Sequence, residues 1–313
     1  MSKLRNPEEL HLLNQPSKVC RAMTEKTPKM TDNAPRRMTF AHVSRTIERD
    51  GKTVAASRAV PEEVPVALSF GGTTHAVMMA SPADLEDFAI GFSLSERIIT
   101  HKDDITSMDI IDVGEGLDIQ MQLKDDLQSE FAAKRRAMAG PVGCGLCGIE
   151  SIEDVMRELP KREENTFCLE HSSIAKAIDQ LNDKQEMRAE TGAVHAAAFI
   201  NSDGDINVLR EDVGRHNALD KVIGAIASQN LDAFNGAIVI TSRVSVDLIQ
   251  KVVVSGAPIL IAVSTPTALA IRTAKEAGLT LIALARKDSF EIYTRPERVR
   301  LPLNKKEDNA DVA

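Results

Sequence analysis

Cys144 and Cys147 stand in the stretch GPVGCGLCGIES, two thiols separated by Gly145 and Leu146. The glycines at 143, 145 and 148 carry no side-chain bulk, so the two sulfurs and an incoming ligand can approach closely. The pattern that follows predicts a helix beginning near Glu150, whose N-terminal partial positive charge would stabilise a thiolate beside it. Such a thiolate can attack a persulfide, hold the sulfur, and release it with help from the neighbouring thiol.

Other chemistry fits the same residues. Cys144-x2-Cys147 is followed, after twenty residues, by Cys168-x2-His171, which matches a Cys3His zinc set. The glycines also spell G-x-G-x-x-G, but the run before them, AAKRRAMAG, is not the apolar strand that a dinucleotide fingerprint requires. A zinc deaminase would need an H-x-E beside its C-x-x-C, and no His here is followed two residues later by Glu. Thiol chemistry, structural zinc and inert cysteines all remain open on spacing alone.

A second group of residues could hold a ligand. Arg210-Glu211-Asp212-Val213-Gly214-Arg215-His216-Asn217 joins a strand to a helix, where ligands of α/β sheets commonly sit. Arg215 could grip an anionic group and His216 could move a proton; the bland alternative is a solvated, self-paired connection. His195, inside AVHAAAFI, is as readily a core histidine as a functional one. Thr241-Ser242-Arg243 and Ser264-Thr265-Pro266-Thr267 each follow a strand and open a helix. Each alone reads as N-capping, yet repetition at successive strand ends suits a phosphate-rich ligand. Arg286-Lys287-Asp288-Ser289, after the last long apolar strand, would add donors at the same edge.

The elements that position these residues divide the chain. Residues 1–37 read as a flexible extension carrying Cys20, and residues 304–313 as a flexible tail. Residues 38–140 read as an α+β N-terminal domain, with hairpin turns at Asp50-Gly51 and Gly71-Gly72. A helix capped at Ser81-Pro82 is expected to bury Leu85, Phe88, Ala89 and Phe92, and LDIQMQL alternates as a half-buried strand. Residues 141–303 alternate continuous apolar strands with amphipathic helices. That pattern predicts a buried, largely parallel sheet covered by helices, an α/β domain.

Composition narrows the function. The 313 residues are 43% hydrophobic and 27% charged, a globular profile. A net charge of −8 and only 3% aromatics exclude a general nucleic-acid binder. No run is long and apolar enough to span a membrane, and MSKLRNPEELHLL lacks the core of a secretory signal. Four cysteines are too few for a disulfide scaffold at this size, so a reducing, cytoplasmic setting is expected.

Several long stretches occur in one order: ADLEDFAIGFSLSERII, GCGLCGIES, REDVGRHNALDKVIG, VSVDLIQKVVVSGAPIL and PTALAIRTAKEAGLTLIALAR. Over about residues 60–300 the chain thereby resembles the formate dehydrogenase accessory sulfurtransferases. The resemblance implies a sulfurtransferase with a cysteine persulfide intermediate, Cys144 the carrier and Cys147 its partner. It implies sulfur received from a cysteine desulfurase and passed to a molybdenum bis-(molybdopterin guanine dinucleotide) cofactor bound as substrate. That cofactor would be destined for the formate dehydrogenase apoenzyme, and no tightly held cofactor of the chain's own is expected. The cofactor-binding stretch implied is Leu284-Ala285-Arg286-Lys287-Asp288-Ser289, with Arg215 and His216 suited to the same ligand. A homodimer is implied, as is a three-layer α/β/α second domain resembling the cytidine deaminase fold. Cys168 and His171 belong to none of these motifs. The rival reading is a non-catalytic chaperone with structural zinc at Cys144, Cys147, Cys168 and His171.

Overall fold

The computed structural model describes residues 37–138, 159 and 166–302. Cys20, the Cys144/Cys147 pair, the helix expected from Glu150 and the C-terminal tail lie outside the described residues.

The chain enters through a hairpin, β1 (Phe40–Arg49) and β2 (Lys52–Pro61), joined at Asp50-Gly51. Both turn residues have positive φ, 53° and 74°, which matches the right-handed twist of the flanking strands. A four-stranded sheet follows, in the order β4-β3-β6-β5. It comprises β3 (Val64–Phe70), β4 (Thr73–Ala80), β5 (Ile105–Asp112) and β6 (Leu117–Leu123). Period-two alternation puts Val66, Leu68, Leu117, Ile119 and Met121 on one buried face. Helix α1 (Leu85–Ser95) closes that face with Leu85, Phe88, Ala89 and Phe92, as its spacing predicted. It starts later than expected: Asp84, with φ 51°, is the N-cap and makes no side-chain cap bond. Helix α2 (Asp125–Met138) follows β6.

The second sheet has six strands in the order β13-β12-β11-β10-β8-β9. They are β8 (His195–Ile200), β9 (Ile206–Asp212), β10 (Ala237–Ile240), β11 (Ile259–Ala262), β12 (Thr280–Ala283) and β13 (Glu291–Thr294). Helices α5 (Arg215–Ser228), α6 (Val246–Ser255) and α7 (Ala268–Glu276) pack on one face. The other face carries α3 (His171–Asp183) and a short parallel pair, β7 (Leu169–Glu170) with β14 (Val299–Arg300). A short helix α4 (Glu186–Thr191) leads into β8. The result is three layers, α/β/α, with two aliphatic cores separated by the sheet. The expectation of a largely parallel sheet holds only for β10, β11 and β12. β8 and β9 form the antiparallel hairpin that the turn signal Asn201-Ser202-Asp203-Gly204 predicts, while β8 also runs antiparallel to β10 and β13 returns antiparallel to β12.

The two sheets are joined by α1 lying against α5. A Cβ on Gly91 would sit 1.7 Å from the Asp220 carbonyl oxygen, and one on Gly224 would sit 1.8 Å from that of Asp87. Only glycine permits this approach. Among the described residues no helix is long and apolar enough to cross a membrane.

Candidate site at the strand ends

Strand register decides which residues meet. Ile240 pairs with Ala262 in parallel and with Ala197 antiparallel, so the end of β10 lies beside the end of β11 and the start of β8. His195 pairs with Asp212, which brings the end of β9 to the same edge. Backbone bonds extend the edge past the strands: the Val263 amide donates to Ile240, the Ala285 amide to Ala262, and the Leu284 amide to Ser264. Thr241–Arg243, Ser264–Thr267, Leu284–Arg286, His195, Arg215 and His216 therefore gather at one end of the sheet. Ligands of open α/β sheets sit outside the carboxyl ends of their strands.

Much of the polar stretch 210–217 is structural. Asp212 is fully buried and 2.7 Å from the fully buried Lys221 ammonium. Its carboxylate also accepts from the Ser81 and Gly214 amides and from Asn217 Nδ2. Lys221 donates onward to the Ser81 carbonyl, and Ser81 Oγ accepts from the Val213 amide, so the expected helix cap serves this network instead. Arg210 is tied to Asp87 at 2.7 Å and to Asp84 at 3.4 Å. Glu211 receives the Met187 and Arg188 amides at the start of α4. A second buried network joins α1, α5 and α6. There Lys251 lies 3.0 Å from both Asp220 and Glu96 and donates to Ser95 Oγ. Burial pushes the Lys251 ammonium down, but Asp220 and Glu96 outweigh it and hold the group charged. The sequence reading missed this second cluster. Its only signal was charge set into otherwise apolar helical runs, Asp220-Lys221 and Lys251.

Two side chains of the stretch, Arg215 and His216, stay outside these networks. Arg215 Nε and His216 Nε2 are buried atoms without a hydrogen-bond partner among the described residues. The nearest carboxylate to His216, Asp247, stands 3.8 Å away. Burial, then the Arg215 and Lys251 charges, hold the His216 imidazole down at about 4. His195 is lowered by its burial and then by Arg215. Two neutral imidazoles beside a guanidinium with an unused N–H form a cradle for an anionic or hydrogen-bonding group.

The hydroxyl-rich loops divide. Thr267 Oγ1 caps α7 through the Ala270 amide, as the capping alternative has it, whereas Thr241 Oγ1 caps no helix and instead accepts from the Ala196 amide of β8. Ser245, at the N-cap of α6, makes no side-chain cap bond. Arg243 is exposed beside it. Leu284 adopts φ 51°, a left-handed conformation uncommon for a bulky residue, which turns the chain out of β12. Arg286 Nη1 donates to the Val263 and Ala285 carbonyls, which locks the turn over β11. Lys287 faces away to Asp179 on α3 at 2.6 Å, and Asp288 accepts from Ser289.

Cys168 is half-buried, its thiol directed at the Thr166 and Glu297 carbonyls. His171 opens α3 against the Phe290 ring, centroids 5.2 Å apart. Among the described residues no three His, Cys, Asp or Glu side chains are grouped to hold a metal ion. A cavity of about 610 Å³, lined by Leu94, His101, Lys102, Ile226 and Leu231, opens at the C-terminal ends of α5 and α6. It lies at the other end of α5 from Arg215 and His216.

Comparison with known proteins bears on this arrangement. Residues 61–300 match the model of the FdhD/NarQ family. A sulfur carrier protein FdhD from Agrobacterium fabrum is 50% identical over 262 residues, which cover 84% of this chain and 97% of that protein. One from Cupriavidus necator is 45% identical over 268 residues, 85% of this chain and 91% of that protein. Among solved structures, a formate dehydrogenase accessory protein from Desulfotalea psychrophila is similar, with a TM-score of 0.68 at 25% identity. That match covers 84% of this chain and all of the other.

Proposed function

Because the chain belongs to the FdhD/NarQ family, we propose that it is a sulfur carrier serving the maturation of formate dehydrogenase. The observation that carries this reading is the Cys144-Gly-Leu-Cys147 pair, inside the matched span of a chain that is 50% identical over 262 residues to a sulfur carrier protein. In this reading the Cys144 thiolate attacks the outer sulfur of a cysteine desulfurase persulfide. The donor's S–S bond breaks, the donor cysteine leaves as thiolate, and Cys144 becomes the persulfide. Attack by the Cys147 thiolate on the inner sulfur then expels hydrosulfide to the acceptor. The resulting Cys144–Cys147 disulfide needs a cellular dithiol to reopen it.

The acceptor we propose is a molybdenum bis-(molybdopterin guanine dinucleotide), bound as substrate at the strand ends on its way to the formate dehydrogenase apoenzyme. Two observations support that position: the unpartnered Arg215 and His216 atoms, and the turn that Leu284 and Arg286 fix over β11. The protein would act in the cytoplasm as a homodimer. Intact mass after incubation with a cysteine desulfurase and cysteine tests the carrier step. One added sulfur mapped to Cys144, removed by a reductant and absent in Cys144→Ala, is the expected result. An unchanged mass, with a bound zinc lost on replacing Cys168 or His171, would replace the carrier by the zinc-bearing chaperone.

A further inference from the structure

The face of the four-stranded sheet turned away from α1 carries apolar side chains that nothing in a monomer's core requires. Register aligns them in two adjacent rows. Val77, Ala67, Asp118 and Ile111 form one, and Met79, Pro65, Gly116 and Val113 the next. Val77 is 60%, Met79 49%, Ile111 41% and Val113 61% exposed. Asp118 crosses the first row on β6, accepting from Ser69 and Gln120, so the exposed apolar side chains lie in two flanks, on β4 and on β5 with its turn. Apolar side chains grouped on one face and bordered by charge mark an interaction surface rather than ordinary scatter. The rim is acidic on the β5 side, with Asp109, Asp112 and Glu115 on β5 and the turn that follows it.

The described chain begins at the border of this patch. Arg37 clamps the β5–β6 turn, donating to both Asp112 carboxylate oxygens at 3.0 and 2.6 Å and to the Gly114 carbonyl at 2.7 Å. Arg37, to which residues 1–36 are joined, is thereby held at the turn that carries Val113. From there, four strands spaced about 4.8 Å apart can be crossed by roughly five extended residues. Residues 1–36 hold seven basic and four acidic side chains, the opposite sign to the rim, and include the apolar Leu10, Leu12 and Leu13. They lie outside the span matched by the family model.

We propose that this sheet face is the docking surface of the chain's own N-terminal segment, residues 1–36, led onto it by the Arg37 clamp. Apolar side chains of the segment cover the Val77–Ile111 and Met79–Val113 rows, and its basic side chains meet the acidic rim. Hydroxyl-radical footprinting of the full chain and of a chain lacking residues 1–34 tests it, since the deletion removes nothing from the three buried cores. Met79 should be modified several-fold faster in the shortened chain, and a synthetic peptide of residues 1–36 should restore protection. In the full chain, Ile111→Asp should speed tryptic cleavage after Lys18 and Arg21 several-fold, while the melting temperature stays unchanged. Equal Met79 reactivity in the two chains, or cleavage indifferent to Ile111→Asp, overturns the proposal. Protection that survives the deletion and grows with protein concentration also overturns it, and assigns the face to a second copy.

Discussion

His216 is a base held neutral by its surroundings, and this has a measurable cost in acid. Burial comes first, followed by the Arg215 and Lys251 charges. Asp247 and Glu96 oppose them too weakly, and the group sits at about 4 against an ordinary 6.5. Between those values the unfolded chain binds a proton that the folded chain refuses. The group's contribution is therefore fully present above about pH 6.5 and is lost as pH falls toward 4. Urea unfolding of His216→Gln should show a shallower loss of stability from pH 6.5 to 4 than the unaltered protein, with equal slopes above 7. Asp212 sets the opposite problem, a charge that must not be lost. Asp212→Asn leaves Lys221 buried and unpaired, and should lower the unfolding free energy by about 3–5 kcal/mol in denaturant titration. The sequence made Arg215 and His216 visible as candidates because charge clusters there beyond what a cap needs. It did not distinguish them from Arg210, Glu211 and Asp212, because those differ only in partners that folding supplies: Asp87 and the α4 amides from distant segments, and Lys221 from within α5.

Elements were legible where periodicity is long. The 3.6-residue spacing located α1, α3, α5, α6 and α7, and the Asp50-Gly51 and Gly71-Gly72 pairs located the hairpin turns. Strand direction was legible where a turn signal joins two runs, as Asn201-Ser202-Asp203-Gly204 does between β8 and β9, and not where continuous apolar runs lack one, as β13 shows. Helix contact was not legible at all. Glycine lowers helix propensity at Gly91 and Gly224, yet each is where the partner's backbone passes. Gly224→Ala separates the two effects. Propensity alone would stabilise α5 by about 1 kcal/mol. Contact with the Asp87 carbonyl instead forces α1 and α5 apart, so the melting temperature should fall, by the equivalent of about 1–3 kcal/mol. A rise in melting temperature would mean the helices part freely and the two sheets are not rigidly joined.

At the scale of the whole molecule, the proposed substrate and the protein repel one another. The chain carries −8 and a bis-guanine-dinucleotide is a polyanion, so capture must depend on local cations at the strand ends. Charge beyond about 8 Å is screened at physiological ionic strength, while at 0.01 M the range extends to about 30 Å and the acidic body is felt. Arg243 is the exposed cation beside the uncapped start of α6. Guanosine diphosphate is a workable probe, since it carries the base and phosphates but no metal chemistry. By calorimetry at physiological salt, Arg243→Gln should raise its Kd about tenfold, equivalent to ~1.4 kcal/mol. For the unaltered protein, lowering the salt to about 0.01 M should tighten binding only weakly, because the body's repulsion grows as the edge's attraction does. In Arg243→Gln that balance tips, and low salt should weaken binding. A variant that matches the unaltered protein at both ionic strengths would show that the strand ends do not take the anion, and would separate the thiol chemistry of Cys144 from this edge.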